Sequence, residues 1–336
     1  SRGVLTTKET YLLEISENDK KGIGECAIFR GLSYDDVPDY EEKLTWLCEN
    51  IHLDFEVLKK ELLHYPSIIF GLEQALLNLE HGEDLYFPSD FTDGKDSIKI
   101  NGLIWMGNAD FMQSQIEEKL AKGFDCIKLK IGVDWKSEKE IIKKLREKFP
   151  KEQLELRVDA NGAFSYEEAR MVLQELADLG IHSIEQPIKK SEVRSPKSEE
   201  NSEKKSTDCC VPWNEMAKLC AETPTPIALD EELIGVIDFE EKKKLLETIK
   251  PQYIILKPAL VGGFSGSDEW IVLAESLGID WWITSALESN IGLNAICQYT
   301  YTKKNPLPQG LGTGALFTNN FETHLQLEGD QMWHKK

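Results

Sequence analysis

The sequence predicts an α/β fold in which a (β/α) barrel follows a smaller α+β domain. From about residue 96 onward, short apolar runs typical of buried strands alternate with segments that have the period of amphipathic helices. No glycine-rich phosphate-binding fingerprint follows the first run, so the alternation favours a barrel over an open, doubly wound sheet. A chain of 336 residues is long enough for one large or two ordinary domains.

Residues 1–95 are predicted to form the α+β domain at the front of the chain. Residues 9–16 alternate as a strand does, and residues 23–29 are the predicted partner in a hairpin. Three helices follow, predicted at 37–50, 54–63 and 66–79. Residues 86–95 are rich in proline, glycine and aspartate, which indicates a domain boundary.

Eight apolar runs are the predicted strands of the barrel. They comprise residues 98–105, 126–131, 154–158, 182–185, 226–229, 253–256, 281–283 and 310–311. Helices are predicted between them, for example at 111–122, 137–148, 165–179, 232–249, 265–277 and 289–301. The barrel domain is thus predicted at 96–317, and the tail at 318–336 is predicted to pack back on the front domain. Residues 189–207 are charged and serine-rich, which predicts a mobile loop insertion, with a recognition role as the alternative.

Composition narrows the classes of function. The formal net charge is −20, from 39 basic and 59 acidic residues, which disfavours nucleic acid or an anionic membrane as a partner. No apolar run approaches a membrane span, and no secretory leader is visible. The seven cysteines include no C-x-x-C pair, so reduced thiols and a cytoplasmic location are expected.

Polar residues recur where successive predicted strands end. In chain order they are Lys128 and Lys130, Asp159, Glu185, Asp230, Lys257 and Ser285. The C-terminal ends of barrel strands all lie at one mouth, where active sites occur, so we expect these residues to converge there.

Three carboxylates in this series predict a metal site. Asp159, Glu185 and Asp230 offer hard oxygen ligands without a nearby histidine or cysteine, which suits Mg²⁺ or Mn²⁺ and disfavours zinc. The alternative is that they serve as helix caps or ion-pair partners.

Three further polar residues are candidates for supporting roles. Asn161 and Glu231 could orient the metal ligands, or could simply serve a turn and a helix start. Arg157 should share a face with Asp159, where it could pair with a ligand or pair within the barrel.

The lysines predict proton transfer. Lys128 and Lys130 are two apart on one strand and therefore share a face, and Lys257 would approach from another strand. Neighbouring cations and desolvation should lower a lysine pKa, so Lys130 is the predicted base acting on a small-molecule carboxylate substrate. Lys128, one layer deeper, should tune its neighbour, or should form a structural ion pair.

The order of the motifs resembles the enolase superfamily, in particular its muconate-lactonizing subgroup. The matching motifs are Lys128-x-Lys130, Asp159-x-Asn161, Glu185-x-Pro187, Asp230-Glu231 and Lys257-Pro258. This resemblance implies a modified TIM (β/α)7β barrel with an α+β N-terminal capping domain, a tail that returns to this cap, and an enediolate intermediate stabilised by Mg²⁺.

Within the superfamily, the sequence is most similar to the o-succinylbenzoate synthases of menaquinone biosynthesis. The segments that carry this resemblance are GEC at 24–26, FRGLS at 29–33, IALDEEL at 227–233 and TSALESNIGL at 284–293. The implied reaction is the syn dehydration of 2-succinyl-6-hydroxy-2,4-cyclohexadiene-1-carboxylate to o-succinylbenzoate.

The same resemblance implies roles for individual residues. Lys130 would remove the α-proton and later protonate the departing hydroxyl, and Lys257 would stabilise the enediolate from the opposite face. The loop at Ser285, together with Gly310, would receive the succinyl tail through backbone donors, and Arg2 would belong to a substrate-covering loop. A plain turn or surface role is the alternative for these last three residues.

Other functions remain open from the sequence. N-acylamino acid racemases and muconate-lactonizing enzymes share these lysines and carboxylates. Dipeptide epimerases typically carry Asp-x-Asp after the last strand, whereas residues 310–317 here read GLGTGALF. A non-catalytic binding scaffold is a third alternative, and the intact lysines and carboxylates speak against it.

Overall fold

The computed structural model describes residues 6–190 and 213–335. Arg2 lies outside the described residues, and so does the predicted insertion at 189–207 apart from its first two residues. Within the described ranges, no helix is both long enough and apolar enough to cross a membrane.

An antiparallel hairpin and three helices form the front of the chain, as predicted. The strands are β1 (Tyr11–Glu17) and β2 (Lys20–Cys26), and the helices are α1 (Tyr40–Asn50), α2 (Phe55–Glu61) and α3 (Pro66–His81). The hairpin turn takes only two residues, and its Asn18 adopts a left-handed conformation (φ 53°) that asparagine tolerates. Strand β2 therefore begins at Lys20, earlier than the sequence predicts.

Seven parallel strands form the main sheet of the barrel. They are β4 (Gly102–Ile104), β5 (Cys126–Lys130), β6 (Glu155–Asp159), β7 (Ser183–Glu185), β8 (Ile227–Leu229), β9 (Tyr253–Leu256) and β10 (Asp280–Ile283). Each strand pairs with its neighbour in chain order, from β4 at one edge to β10 at the other. This curled parallel sheet with its helices confirms the predicted fold class, a modified TIM barrel with an N-terminal cap.

Residues 309–310 join the two edges of this sheet. Gln309 forms a parallel bridge to Ile100, just before β4, and Gly310 forms one to Thr284, just after β10. Gly310 N donates to Ile283 O at 2.8 Å, and Gln309 N donates to Lys99 O at 2.9 Å. The predicted eighth strand is therefore a short bridging segment that closes the barrel.

Eight helices follow the barrel strands within the described residues. They are α4 (Ala109–Ala121), α5 (Trp135–Lys148), α6 (Tyr166–Asp178), α7 (Asn214–Glu222), α8 (Phe239–Ile249), α9 (Pro258–Val261), α10 (Gly263–Ser276) and α11 (Asn290–Lys303). The helix predicted at 232–249 is divided in two. A 3₁₀ turn covers Glu231–Leu233, Gly235 has φ 82°, and Asp238 caps a new helix by accepting from Glu240 N.

The C-terminal tail forms a second hairpin, β11 (Leu325–Glu328) and β12 (Gln331–His334). Strand β12 pairs with β3 (Ile98–Lys99), so the run predicted as one strand at 98–105 serves two sheets. The tail also contacts the N-terminal segment, because Thr318 N donates to Thr6 O at 2.9 Å. The domain boundaries at residues 95 and 317 stay a prediction.

Helix α3 approaches strand β2 closely at Gly24. A Cβ atom added at Gly24 would lie 1.9 Å from Gly71 O and 2.8 Å from Ala75 N. Because both obstacles are backbone atoms of a helix, a rotamer change cannot relieve the clash. The capping domain therefore depends on glycine at this contact.

We expect Gly24→Ala to lower the free energy of unfolding by about 2–3 kcal/mol, because α3 must move away from β2. Urea denaturation followed by circular dichroism measures the change. Gly312→Ala is the matched control, since its added Cβ would meet only Ile100 Cδ1 at 3.4 Å. Equal losses in the two variants would contradict the close approach.

Candidate active site

The parallel register brings charged side chains from neighbouring strands to the same mouth of the barrel. Lys130 pairs with Asp159, and Asp159 pairs with Glu185, across β5, β6 and β7. Asp230 follows β8 directly, and Lys257 follows β9 directly. Residues that are far apart in the sequence therefore stand side by side where five adjacent strands end.

Ion pairs connect the lysines to the carboxylates. Lys130 Nζ lies 2.6 Å from Asp159 Oδ2, and Lys128 Nζ lies 2.7 Å from Glu185 Oε2 and 3.8 Å from Asp159 Oδ2. Lys257 Nζ donates to Asp230 Oδ2. The structure thus brings together all six residues that the sequence proposed for catalysis and metal binding.

The three carboxyl groups are at most 2% exposed, and their pKa values are shifted in different directions. Burial, together with the charge of Asp159, raises the pKa of Glu185 to about 7. Burial also raises the pKa of Asp230. Burial opposes ionisation of Asp159 as well, but Lys130 and Lys128 outweigh it and lower the pKa of Asp159 to about 2.

One carboxylate oxygen of this cluster lacks a partner. Glu185 Oε1 is buried and accepts no hydrogen bond from the described residues. A buried acceptor is normally satisfied, so this oxygen points to a ligand such as a cation or a water molecule. Three converging carboxylates without an imidazole or a thiol among them fit a hard divalent cation such as Mg²⁺.

The lysine ammonium groups are stabilised by the acids around them. Burial lowers the pKa of Lys257, but the charges of Asp230 and Glu231 outweigh it, and the net shift is upward. The pKa of Lys128 is likewise raised by Glu185 against the effect of burial. The predicted lowering of a lysine pKa is therefore wrong for Lys257 in this structure. Lys128 forms the ion pair that was its alternative role.

Asn161 and Glu231 connect neighbouring loops at the mouth. Lys130 Nζ donates to Asn161 Oδ1 at 2.7 Å, and Asn161 Nδ2 donates to Glu231 Oε1 at 2.8 Å. Asn161 N also donates to Asp159 Oδ1 at 3.1 Å. Asn161 thus holds both a candidate base and a candidate metal ligand in place.

Arg157 makes its contacts inside the barrel. Its Nε donates to Glu155 Oε1 at 2.7 Å, its Nη1 donates to Pro308 O at 2.9 Å, and its guanidinium lies 4.2 Å from the ring centroid of Trp282. Within the described part of the chain, none of its hydrogen bonds or ion pairs reaches Asp159. Of the two roles that the sequence left open, these contacts correspond to pairing within the barrel and not to support of a ligand.

Comparisons with known proteins agree with this geometry. The family model described as "Enolase C-terminal domain-like" matches residues 112–198. An o-succinylbenzoate synthase of Desulfotalea psychrophila is 42% identical over 98% of this chain and 93% of its own length. The chain belongs to the o-succinylbenzoate synthase family of the enolase superfamily.

A solved structure and a second relative extend this comparison. MenC from Desulfotalea psychrophila LSv54 superposes with a TM-score of 0.83 at 40% identity, covering 96% of this chain and 94% of that one. An N-succinylamino acid racemase of Thermus thermophilus is 33% identical over 53% of this chain and 40% of its own length.

In this member of the o-succinylbenzoate synthase family, the backbone N–H groups of Ser285 and Gly310 form hydrogen bonds that close the barrel. Ser285 N donates to Gly310 O at 3.0 Å, and Gly310 N donates to Ile283 O at 2.8 Å. Both backbone N–H groups close the barrel, so the prediction that Gly310 N binds a substrate tail is corrected, whereas binding of the tail by the Ser285 loop stays a prediction. The Ser285 hydroxyl is also engaged, since it donates to Glu288 Oε2 at 2.5 Å.

The capping domain supports the loop and helix start at residues 287–292, and sequence reasoning missed the two residues responsible. Glu25, which is fully buried, accepts from Ser289 N at 3.0 Å and from Gly292 N at 2.9 Å. Lys8 Nζ donates to Leu287 O at 2.7 Å. A carboxylate among the glycines of strand β2 was the available signal, but its partners lie about 260 residues away in the chain.

We expect Glu25→Ala to lower the free energy of unfolding by about 3 kcal/mol or more, because it leaves several buried donors without an acceptor. Urea denaturation measures this loss. Glu25→Gln is the matched control, since it retains one acceptor oxygen, and it should be less destabilised. Wild-type stability of Glu25→Ala would show that these hydrogen bonds do not hold the loop.

Proposed function

We propose that this chain is an o-succinylbenzoate synthase, which dehydrates 2-succinyl-6-hydroxy-2,4-cyclohexadiene-1-carboxylate to o-succinylbenzoate. One observation carries the proposal. Lys130 on β5 and Lys257 after β9 stand on either side of three buried carboxylates from the strands between them. The near full-length similarity to a synthase of this name supports the choice of substrate.

We further propose that Asp159, Glu185 and Asp230 hold a divalent cation, most suitably Mg²⁺. The support is the donor set of three buried carboxylates and the unpartnered Oε1 of Glu185. When bound, the cation would supply positive charge to the substrate carboxylate and so make the adjacent carbon more acidic. The cation would also compete with the lysine ammonium groups for these carboxylates. It would thereby neutralise the negative charge that raises the pKa of the lysines.

Lys130 is the proposed base. Its Nζ takes the proton from the carbon that bears the carboxylate, and the hydrogen bonds from Nζ to Asp159 and Asn161 position it for this step. The resulting ammonium then gives a proton to the departing hydroxyl group. Water leaves, the ring becomes aromatic, and Nζ returns to the neutral amine, so that no proton is gained or lost.

Lys257 has a different proposed role. Its ammonium is buried beside Asp230 and stands across the carboxylates from Lys130. From this side it stabilises the negative charge that develops on the substrate after proton removal. The two lysines thus divide the work, because one moves a proton and the other remains a cation.

A second candidate activity is racemisation of N-succinylamino acids. The relative in Thermus thermophilus favours it, and two lysines on opposite sides of one carbon can exchange its proton from either face. Deuterium incorporation at the α-carbon of N-succinylamino acids in deuterated water tests this activity. Absence of exchange under conditions that permit dehydration rejects it.

We also infer a small-molecule carboxylate substrate and a cytoplasmic location. The net charge of −20 is unfavourable for binding nucleic acid or an anionic membrane. All five cysteines that the structure describes are free thiols, which supports a reducing compartment.

With the cyclohexadiene acid and Mg²⁺, we expect the protein to form an aromatic product that absorbs in the ultraviolet. Lys130→Ala should reduce kcat by at least about a hundredfold, because it removes the general base. The exposed Lys136 provides the control, and Lys136→Ala should keep wild-type activity. Failure of the wild-type protein to produce the aromatic product would reject the synthase.

Removal of divalent metal by a chelator should abolish dehydration, and added Mg²⁺ should restore it. Glu185→Gln should weaken cation binding by at least about tenfold, since it replaces a charged ligand with a neutral one. Titration with Mn²⁺, followed by electron paramagnetic resonance, measures this affinity directly. Glu140→Gln on the exposed face of α5 is the control, and equal affinities in the two variants would refute the ligand assignment.

A further inference from the structure

A second group of potential metal ligands lies where the C-terminal hairpin meets the segment after α3, on elements other than those that carry Lys130 and Lys257. Asp84, His324 and His334 each offer one ligand atom, and these atoms lie within 4.8 Å of one another. Asp84 Oδ2 is 2.5 Å from His324 Nδ1 and 3.2 Å from His334 Nε2. We propose that these three residues bind a borderline divalent cation such as Zn²⁺.

One buried polar atom of this cluster supports a ligand, because Asp84 Oδ1 has no hydrogen-bond partner among the described residues. His334 is fully buried, and its Nε2 is the ring nitrogen that faces Asp84. Its Nδ1 is also unpartnered, but the two nitrogens of one ring point in different directions, so Nδ1 is not a ligand of the same cation. Unpartnered buried polar atoms are uncommon in proteins and commonly mark the place of an ion or an ordered water molecule.

The chemistry of the donors selects the cation. Two imidazoles and one carboxylate suit Zn²⁺, whereas Mg²⁺ prefers oxygen ligands alone. The ligands of a tetrahedral Zn²⁺ stand about 3.3–3.5 Å apart, given bonds of about 2.0–2.1 Å. The 3.2 Å between Asp84 Oδ2 and His334 Nε2 is close to this spacing. His324 must move outward by about 1 Å to match it, and its side chain is 45% exposed and free to do so.

A cation here would join distant parts of the chain. His324 precedes β11 and His334 ends β12, and they stand 240 and 250 residues from Asp84 in the sequence. A ligand that binds only the folded arrangement stabilises it, so Zn²⁺ would strengthen the docking of the hairpin against the segment after α3. This inference is independent of the proposed function, because none of the three residues takes part in the site of the lysines.

Calorimetric titration of the full chain with Zn²⁺ tests the site, with Mg²⁺ present at saturating concentration to occupy the carboxylates of the barrel mouth. We expect His324→Asn to weaken one binding event by at least about tenfold, because a ligand is lost. His324 is the preferred position, since replacing the buried His334 could disturb folding. His52→Asn, at an exposed histidine outside the cluster, should bind Zn²⁺ as the wild type does.

The melting temperature is the second readout. Zn²⁺ should raise the melting temperature of the wild type and of His52→Asn more than that of His324→Asn. Any effect of zinc bound to thiols or to the barrel mouth is the same in all three proteins, so it does not contribute to the difference between their melting-temperature shifts. The proposal is wrong if the wild type and His324→Asn bind Zn²⁺ equally and Zn²⁺ raises their melting temperatures equally. The cluster is then only a hydrogen-bonded contact.

Discussion

The balance of charge at the barrel mouth is the constraint on which the rest of the site depends. Three carboxylates and three lysines face one another with little access to solvent, and each acid has a lysine partner within ion-pair distance. Such groups are tolerated in a protein interior only when they compensate one another. A divalent cation would add two positive charges, and a substrate carboxylate together with a neutral lysine would restore the balance.

The capping domain contributes acceptors to the barrel. Glu25 accepts backbone donors at the start of α11, and Glu73 on α3 accepts Phe264 N and Ser265 N at the start of α10. Burial raises the pKa of Glu73 to about 7, so this contact is made against a desolvation cost. Because helix starts leave N–H groups unpaired, a carboxylate from another domain can orient a helix. The cap thus positions two helices that flank the mouth.

Much of this arrangement follows from short-range pattern in the sequence. The strand ends that carry Asp159, Glu185 and Asp230 could be predicted, because an apolar run followed by a polar residue identifies where each strand stops. The division of the segment at 232–249 could not, because it depends on the left-handed backbone at Gly235, which packs against Tyr34. The upward pKa shift of Lys257 was also missed, since it arises from the sum of several acids at close range. Contacts of Glu25 and Asp84 span more than 200 residues and leave no local periodicity.

The two sides of the mouth differ in chemistry, and this difference follows from how the barrel closes. Charged residues end the five adjacent strands from β5 to β9, whereas β10 is followed by Thr284 and Ser285 and meets the glycine at 310. The closing segment uses backbone hydrogen bonds where the other strands carry ionisable side chains. Under the proposed function, a substrate would place its reacting carbon and carboxylate on the charged side and its remaining atoms toward the neutral side. The position of the bridging segment at residues 309–310 would then determine how the substrate is oriented. This short segment would contribute to substrate binding as well as to the fold.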